Sequence, residues 1–231
     1  MYELGVTVKI KPAADTADRL LDVAERLFGE RGYDGVGMRL LAEAAGVNLG
    51  AATYHFGSKQ ALYLAVFHRR FRPMDAERLR RLREAVARAQ GRPLPVEVIV
   101  ECLLRPPFES GIGNTAFQQF LARNLLLPPS FLHRALHREV GPTMAEFAAA
   151  LHQALPHLPG DLLHLRSMFA MGSLAMFSTH AKTMPGMRNR EVREAVLREM
   201  IGYVTAGMTS PALTNPQKRP PLPRRPGPAD D

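Results

Sequence analysis

The chain has 231 residues, 46% of them apolar and 23% charged. That is the make-up of an ordinary globular protein, and no apolar run reaches the ~18 residues of a membrane span. One cysteine, Cys102, excludes an internal disulfide framework and any multi-cysteine zinc site, which fits a reducing compartment. The net charge of +8 invites a nucleic-acid reading, but the charge is unevenly spread. Residues 1–60 hold seven Lys and Arg against eight acids, whereas residues 61–90 hold eight Arg against three acids. Charge alone therefore points away from the N-terminal segment.

The N-terminus, residues 1–14, lacks the apolar stretch of a signal peptide, so a cytoplasmic protein is expected. Leu20, Leu21, Ala24, Leu27 and Phe28 then form one apolar stripe, predicting a helix over 15–31. Asp15 or Thr16 is placed to cap its start and Gly32 to end it in a left-handed conformation. Two short helices follow over 38–45 and 48–56, separated by Gly46 and Val47.

Ser58 is placed to cap a helix over 58–71, which Pro73 should kink or stop, and residues 74–90 read as helix again. Further helices are expected near 95–105, 113–126, 129–155, 160–182 and 188–209, punctuated by Pro106-Pro107, Pro128-Pro129 and Pro185-Gly186. No alternating strand pattern occurs. From residue 211 onward seven of 21 residues are proline, so this basic tail has no means of burying a core and reads as disordered.

Residues 38–48, Met-Arg-Leu-Leu-Ala-Glu-Ala-Ala-Gly-Val-Asn, have the grammar of a helix-turn-helix. Leu41 and Ala42 turn inward, and Ala45 is small enough for close helix packing. Gly46 permits the tight turn, Val47 plugs its corner and Asn48 caps the second helix. A helix of about eight residues needs a platform to persist in water. Such a unit lays its second helix in the major groove of DNA.

The stretch from Leu20 to Leu64, with an aromatic after Arg31-Gly32, the turn LAEAAGV and the run YHFGSK, resembles the DNA-binding domain of the TetR family of bacterial repressors. The resemblance implies an all-α homodimer: an N-terminal three-helix helix-turn-helix domain plus a helical-bundle ligand-binding and dimerisation domain. Mapped onto this chain, the domains are an arm at 1–14, the DNA-binding domain at 15–60, the ligand domain at 61–210 and the tail at 211–231. The family pattern places Arg39 at a base or phosphate, and Asn48, Leu49, Gly50 and Ala51 at the start of the recognition helix. It puts Thr53, Tyr54 and His55 on phosphates and Lys59 at the phosphate-binding start of the next helix. Val36 and Gly37 stand where many members carry a Thr or Ser cap, which weakens the second helix's cap. Tyr54 and Phe56 also suit packing, and Arg39 and Lys59 also suit a solvated surface.

In the C-terminal part, Phe117, Phe120, Leu121, Phe147, Phe169 and Phe177 are candidates to line an apolar ligand site. An ordinary core is the alternative for each. The runs SMFAMGSLAMFSTHA and VTAGM resemble the PsrA-like fatty-acid-responsive subgroup. That resemblance implies a small lipophilic effector, a fatty acid or acyl-CoA, with Arg123 as partner for its carboxylate or phosphate. The last two helices, near 160–182 and 188–209, are expected to pair with a second copy, and the helix over 58–71 to couple the two domains.

A regulator of a drug-efflux gene sensing aromatic or cationic compounds is one alternative, and a helical lipid-binding protein without specific DNA binding is another. His133 and His137 have a metal-compatible i, i+4 spacing but no HExxH pattern. No Gly-rich phosphate loop or paired catalytic carboxylates occur. Neither an enzyme, a cofactor, a metal site nor a membrane partner is expected.

Overall fold

The computed structural model describes residues 13–111 and 115–212. The N-terminal arm up to residue 12 and the proline-rich tail from residue 213 lie outside them. All regular elements among the described residues are helical. The chain divides into two compact units, one ending at Arg69 and the other starting at Arg70, nine residues beyond the boundary expected from sequence. Residues after 60 complete the first core: Leu62, Tyr63 and Val66 are all fully buried.

The first unit contains α1 (Ala13–Arg31), α2 (Met38–Ala44), α3 (Leu49–Phe56) and the start of α4 (Lys59–Ala89). The α1 stripe is buried through Leu20, Ala24, Leu27 and Phe28. The helix begins ahead of Asp15 and Thr16, which therefore are not its caps. They serve Arg19 instead, whose Nε lies 3.8 Å from Asp15 Oδ2 and whose Nη2 donates to Thr16 Oγ1 at 3.4 Å. Gly32 ends α1 at φ +75°, as the stripe's end predicted. At Gly35 an added Cβ would lie 2.5 Å from Arg31 O, so only glycine fits the turn into α2.

The second unit continues α4 and adds α5 (Val96–Gly111), α6 (Thr115–Leu126), α7 (Ser130–Ala154), α8 (Gly160–His180), a 3₁₀ turn at Ala181–Thr183 and α9 (Arg190–Thr209). Its main core joins Leu82 and Ala85 of α4 to α5, α7, α8 and α9, with Leu104, Leu174 and Leu197 near its centre. On α9 the buried residues Leu197, Ile201, Val204 and Met208 form a helical stripe.

Prolines read as stops do not stop these helices. Pro73 lies inside α4, and Pro106 and Pro107 inside α5, whereas Pro142 lies inside α7 within the helix expected over 129–155. An interior proline removes one N–H and leaves the carbonyl four residues earlier without a helical donor. Tertiary packing overrides that cost. Phe71 and Met74 flank Pro73 and are buried, and Phe108, one residue past Pro107, is 4% exposed. Leu103 O, which Pro107 leaves without its donor, accepts from Arg78 Nε at 2.9 Å.

Candidate nucleic-acid interface

The turn between α2 and α3 is built from short-range bonds. Ala45 N donates to Leu41 O, Gly46 N to Glu43 O and Val47 N to Ala42 O, each at 3.0 Å. Gly46 takes φ +65°, where a β-carbon is strained. Asn48 Oδ1 accepts from Ala51 N at 2.7 Å and caps α3. No side chain caps α2, whose N-cap is Gly37, in line with the weak cap read from sequence. The unit packs on small residues: Leu20, Ala42, Ala45 and Ala52 are buried together, with Met38, Val47 and Phe56 against them. Ala52, fully buried, lets α3 sit close on its neighbours.

Two side chains fasten this frame over long sequence distances. Arg19 Nη1 donates to Ala45 O at 3.3 Å, holding α1 to the turn. Nothing in the helix-turn-helix pattern announces Arg19, because the carbonyl it serves lies 26 residues away. Lys59 Nζ donates to Tyr33 O at 3.2 Å and lies 4.0 Å from the centroid of the Tyr33 ring. Tyr33 in turn lies edge-on to Tyr63, with centroids 5.3 Å apart. Ser58 Oγ accepts from Ala61 N at 3.1 Å, the cap foreseen for α4.

The predicted contact residues fall into two groups. Arg39, Asn48, Leu49, Gly50, Thr53 and Tyr54 are exposed, and Tyr54 retains 85% of its surface with Leu49 at 42%. Ala51, His55 and Lys59 are half-buried. Of the two aromatics, Phe56 packs on the core while Tyr54 stands in solvent. Asn48 is committed to its cap and Lys59 to Tyr33, so each positions a helix start whatever else it touches. A Cβ at Gly50 would meet only Asn48 Oδ1, at 3.3 Å.

In the second unit, Phe117, Phe120 and Leu121 of α6 and Phe147 of α7 are buried. Phe147 belongs to the main core, and Phe177 of α8 packs against that core, stacked on Phe108 at 5.1 Å. Arg123 is half-buried. Phe169 does not join them: it is 63% exposed, because Ala170 and Leu174 carry the buried side of α8 and turn it outward. The side chains of His133 and His137 lie outside the described residues. Sequence reasoning missed the arginines that fasten the second unit. Arg78 reaches Leu103 O, and Arg166 Nη1 and Nη2 donate to Met208 O at 2.6 Å and Pro211 O at 3.3 Å. Arg105 makes a two-pronged bond to Glu194, at 2.9 and 2.7 Å, holding that carboxyl below its usual range.

Residues 20–66 match the family described as bacterial regulatory proteins, tetR family, and residues 97–207 match the tetracyclin repressor-like C-terminal domain. This chain belongs to the tetR family. The repressor AcnR of Corynebacterium efficiens is 40% identical over 63 residues, covering 27% of this chain and 33% of AcnR. The activator FasR of Mycolicibacterium smegmatis is 41% identical over 58 residues, 25% of this chain and 26% of FasR. An HTH-type transcriptional regulator of Mycobacterium tuberculosis is 38% identical over 74 residues, 32% of this chain and 37% of its own length. The chain thus aligns with only about a third of these relatives. The crystal structure of HlyIIR, a hemolysin II transcriptional regulator, superposes with TM-score 0.56 at 16% identity over 87% of this chain and all of that one.

The family match over residues 20–66 makes the α2–α3 pair the helix-turn-helix of a bacterial regulatory protein. No helix among the described residues is long and apolar enough to cross a membrane.

Proposed function

We propose that this protein is a cytoplasmic repressor, without enzymatic activity, that binds a pseudo-palindromic operator as a homodimer and is released by a lipophilic effector. The observation that carries the reading is the outer face of α3. Tyr54, the most exposed large apolar side chain of the described residues, stands there with exposed Leu49 and Thr53 on a helix whose Ala52 is buried. An exposed aromatic and an exposed leucine on one short helix form the kind of apolar patch, rimmed by polar groups, that marks an interaction surface. Tyr54 supplies a hydroxyl for a phosphate, Leu49 and Ala51 apolar contact for a thymine methyl, and Arg39 a charge. With few polar groups available to base edges, much of the affinity comes from phosphates and falls steeply with salt.

The dimer reading rests on α8 and α9. Their outward faces carry Met168, Phe169 and Met176, and Tyr203, 73% exposed, beside Gly172 and Gly202, where an added Cβ would meet nothing within 4 Å. α8 is apolar on its buried and its outward side alike, as a helix is when it is covered on both. Phe169 therefore serves this face, and the effector is left to Phe117, Phe120, Leu121, Phe147 and Phe177. An effector that favours a conformation unsuited to the operator weakens DNA binding by the same factor by which DNA weakens effector binding.

Selection from a random duplex pool, repeated with Arg39→Ala and Tyr54→Ala, tests the DNA reading. One two-fold symmetric motif, weakened in both variants, is expected. Binding that is blind to sequence and merely salt-sensitive would overturn it and leave a helical lipid-binding protein in its place. Titrating the selected duplex complex with dodecanoate, hexadecanoate and hexadecanoyl-CoA then tests release.

A further inference from the structure

The first unit ends at Arg69, and the side chain of that residue reaches back to α1. Arg69 Nη1 lies 2.8 Å from Asp22 Oδ1, and Nη2 lies 3.3 Å from Glu25 Oε2. Asp22 and Glu25 stand at i and i+3 on one face of α1, so the two nitrogens grip that helix across about one turn. Glu25 is the unusual member: its side chain is 3% exposed, and a carboxylate so far from water needs a paired cation. Arg69 Nε is buried and makes no hydrogen bond, so the guanidinium is held by its Nη atoms.

This pair is the far end of a series of ties to α4 that run in antiparallel order. Lys59 meets Tyr33 at the start of α4, Tyr63 lies edge-on to Phe28 further along, and Arg69 meets Glu25 and Asp22 last. Apolar packing around Phe28 and Tyr63 fixes how close the helices lie but carries little direction. A guanidinium bonded at two points does carry direction, and sets both the rotation of α4 about its axis and its slide along α1. The ties at Lys59 and Arg69 lie about 15 Å apart along the helix axis, a long base for fixing an angle. The backbone weakens just beyond. Pro73 has no N–H for the carbonyl of Arg69, so the ladder of α4 loses a bond there, and prolines are where helices bend. With Arg69 pinned, any bend falls after the tie and leaves α1–α3 and residues 59–69 one body.

We infer that Arg69 is a positioning residue for operator recognition: its grip on Asp22 and Glu25 fixes the angle at which α4 leaves the helix-turn-helix, and with it the half-site separation that a dimer accepts. This rests on the homodimer and operator reading above and names what sets the operator's spacing. Arg69 touches no base in this role and acts through α4. One base pair added between half-sites moves one of them by about 3.4 Å and about 35°. A recognition helix whose body rocks on α4 follows such a shift, and one locked to α4 does not. Replacing a buried ion pair by apolar chains of similar bulk preserves stability, so direction is separable from stability here.

The test is selection from a random duplex pool with the full chain and with Arg69→Met plus Glu25→Met, Arg69→Lys and Asp22→Asn, reading the separation of the two half-sites. The unaltered chain is expected to return one separation, bound about tenfold more tightly than duplexes one base pair longer or shorter, a penalty like that of one mismatched pair. The double variant should melt within a few degrees of the unaltered chain, recover the same half-site sequence and accept several separations. Arg69→Lys, a point charge without the fork, should fall between the two. Asp22→Asn leaves the buried pair intact and weakens one prong, so it should relax the preference in part; it reads the same point should the double variant fail to fold. One unchanged separation in the double variant, or in Asp22→Asn where the double variant does not fold, overturns the positioning role and leaves the homodimer reading standing. An altered half-site sequence in a variant that melts normally also overturns it, because the pair then shapes the recognition surface itself. No two-fold symmetric motif from the unaltered chain overturns both readings.

Discussion

The two units hold their helices by different means. Around the helix-turn-helix, caps come from side chains three residues away: Asn48 for Ala51 and Ser58 for Ala61. The second unit also has a local cap, Asn189 for Glu191, but three arginines fasten it over 25 residues from Arg78 to Leu103, 42 from Arg166 to Met208 and 89 from Arg105 to Glu194. The second unit also carries four prolines inside helices, whose lost N–H groups ask for donors from elsewhere. A small domain that must present one helix accurately is written in local caps and turns. A larger helical core tolerates broken ladders because distant arginines and buried apolar area hold it. The first unit is not wholly local, since Arg19 and Lys59 each reach 26 residues and Arg69 reaches 44 to pair with Glu25 at 3.3 Å.

The sharpest way to break the comparison is to empty the smaller core. Phe28 is fully buried and lies edge-on to Tyr63 with centroids 4.7 Å apart, so Phe28→Ala should cost about 3–5 kcal/mol. Hydrogen exchange should show protection lost through α1–α3 ahead of α5–α9; uniform loss would deny the units separate cores. Next comes Arg166→Met, which keeps bulk but leaves Met208 O and Pro211 O without donors. It should cost about 3 kcal/mol in chemical denaturation, since each charged bond contributes about 1.5–3 kcal/mol. A change below 1 kcal/mol, about the worth of a single neutral bond, would show that long-range arginines are not what holds the second unit.

Smaller is Asn48→Ala, expected to cost about 1 kcal/mol of stability through its lost cap. It should also weaken operator binding, read by titration of the selected duplex, whereas Ser58→Ala should cost similar stability with less effect on DNA. Smallest is the acid response of the Arg105–Glu194 bond. Hydrogen bonds from Arg105 depress the Glu194 pKa from 4.5, so the bond's contribution is fully present above about pH 4.5. It is lost as pH falls through the depressed value, and the 44% exposure of that side chain keeps it small. Glu194→Gln should flatten the acid limb of the thermal-stability profile slightly; an unchanged limb would assign the acid sensitivity elsewhere.

Sequence alone determined the all-helical class, the α1 stripe, the Gly46 turn, the Asn48 and Ser58 caps and the inward set of Leu41, Ala42 and Ala45. Each depends on residues within a few positions of one another, where periodicity and capping chemistry are readable. Tertiary structure decided the rest. It carried α4 and α5 through their prolines, because packing of neighbours such as Met74 and Phe108 outweighs one lost hydrogen bond. It also separated Tyr54 from Phe56 and sent Phe169 outward while burying Phe147, since which side of a helix is covered depends on the neighbour it packs against. Finally, it gave Lys59 to Tyr33 and Arg78 to Leu103, partners that lie 26 and 25 residues away along the chain and adjacent only in the fold.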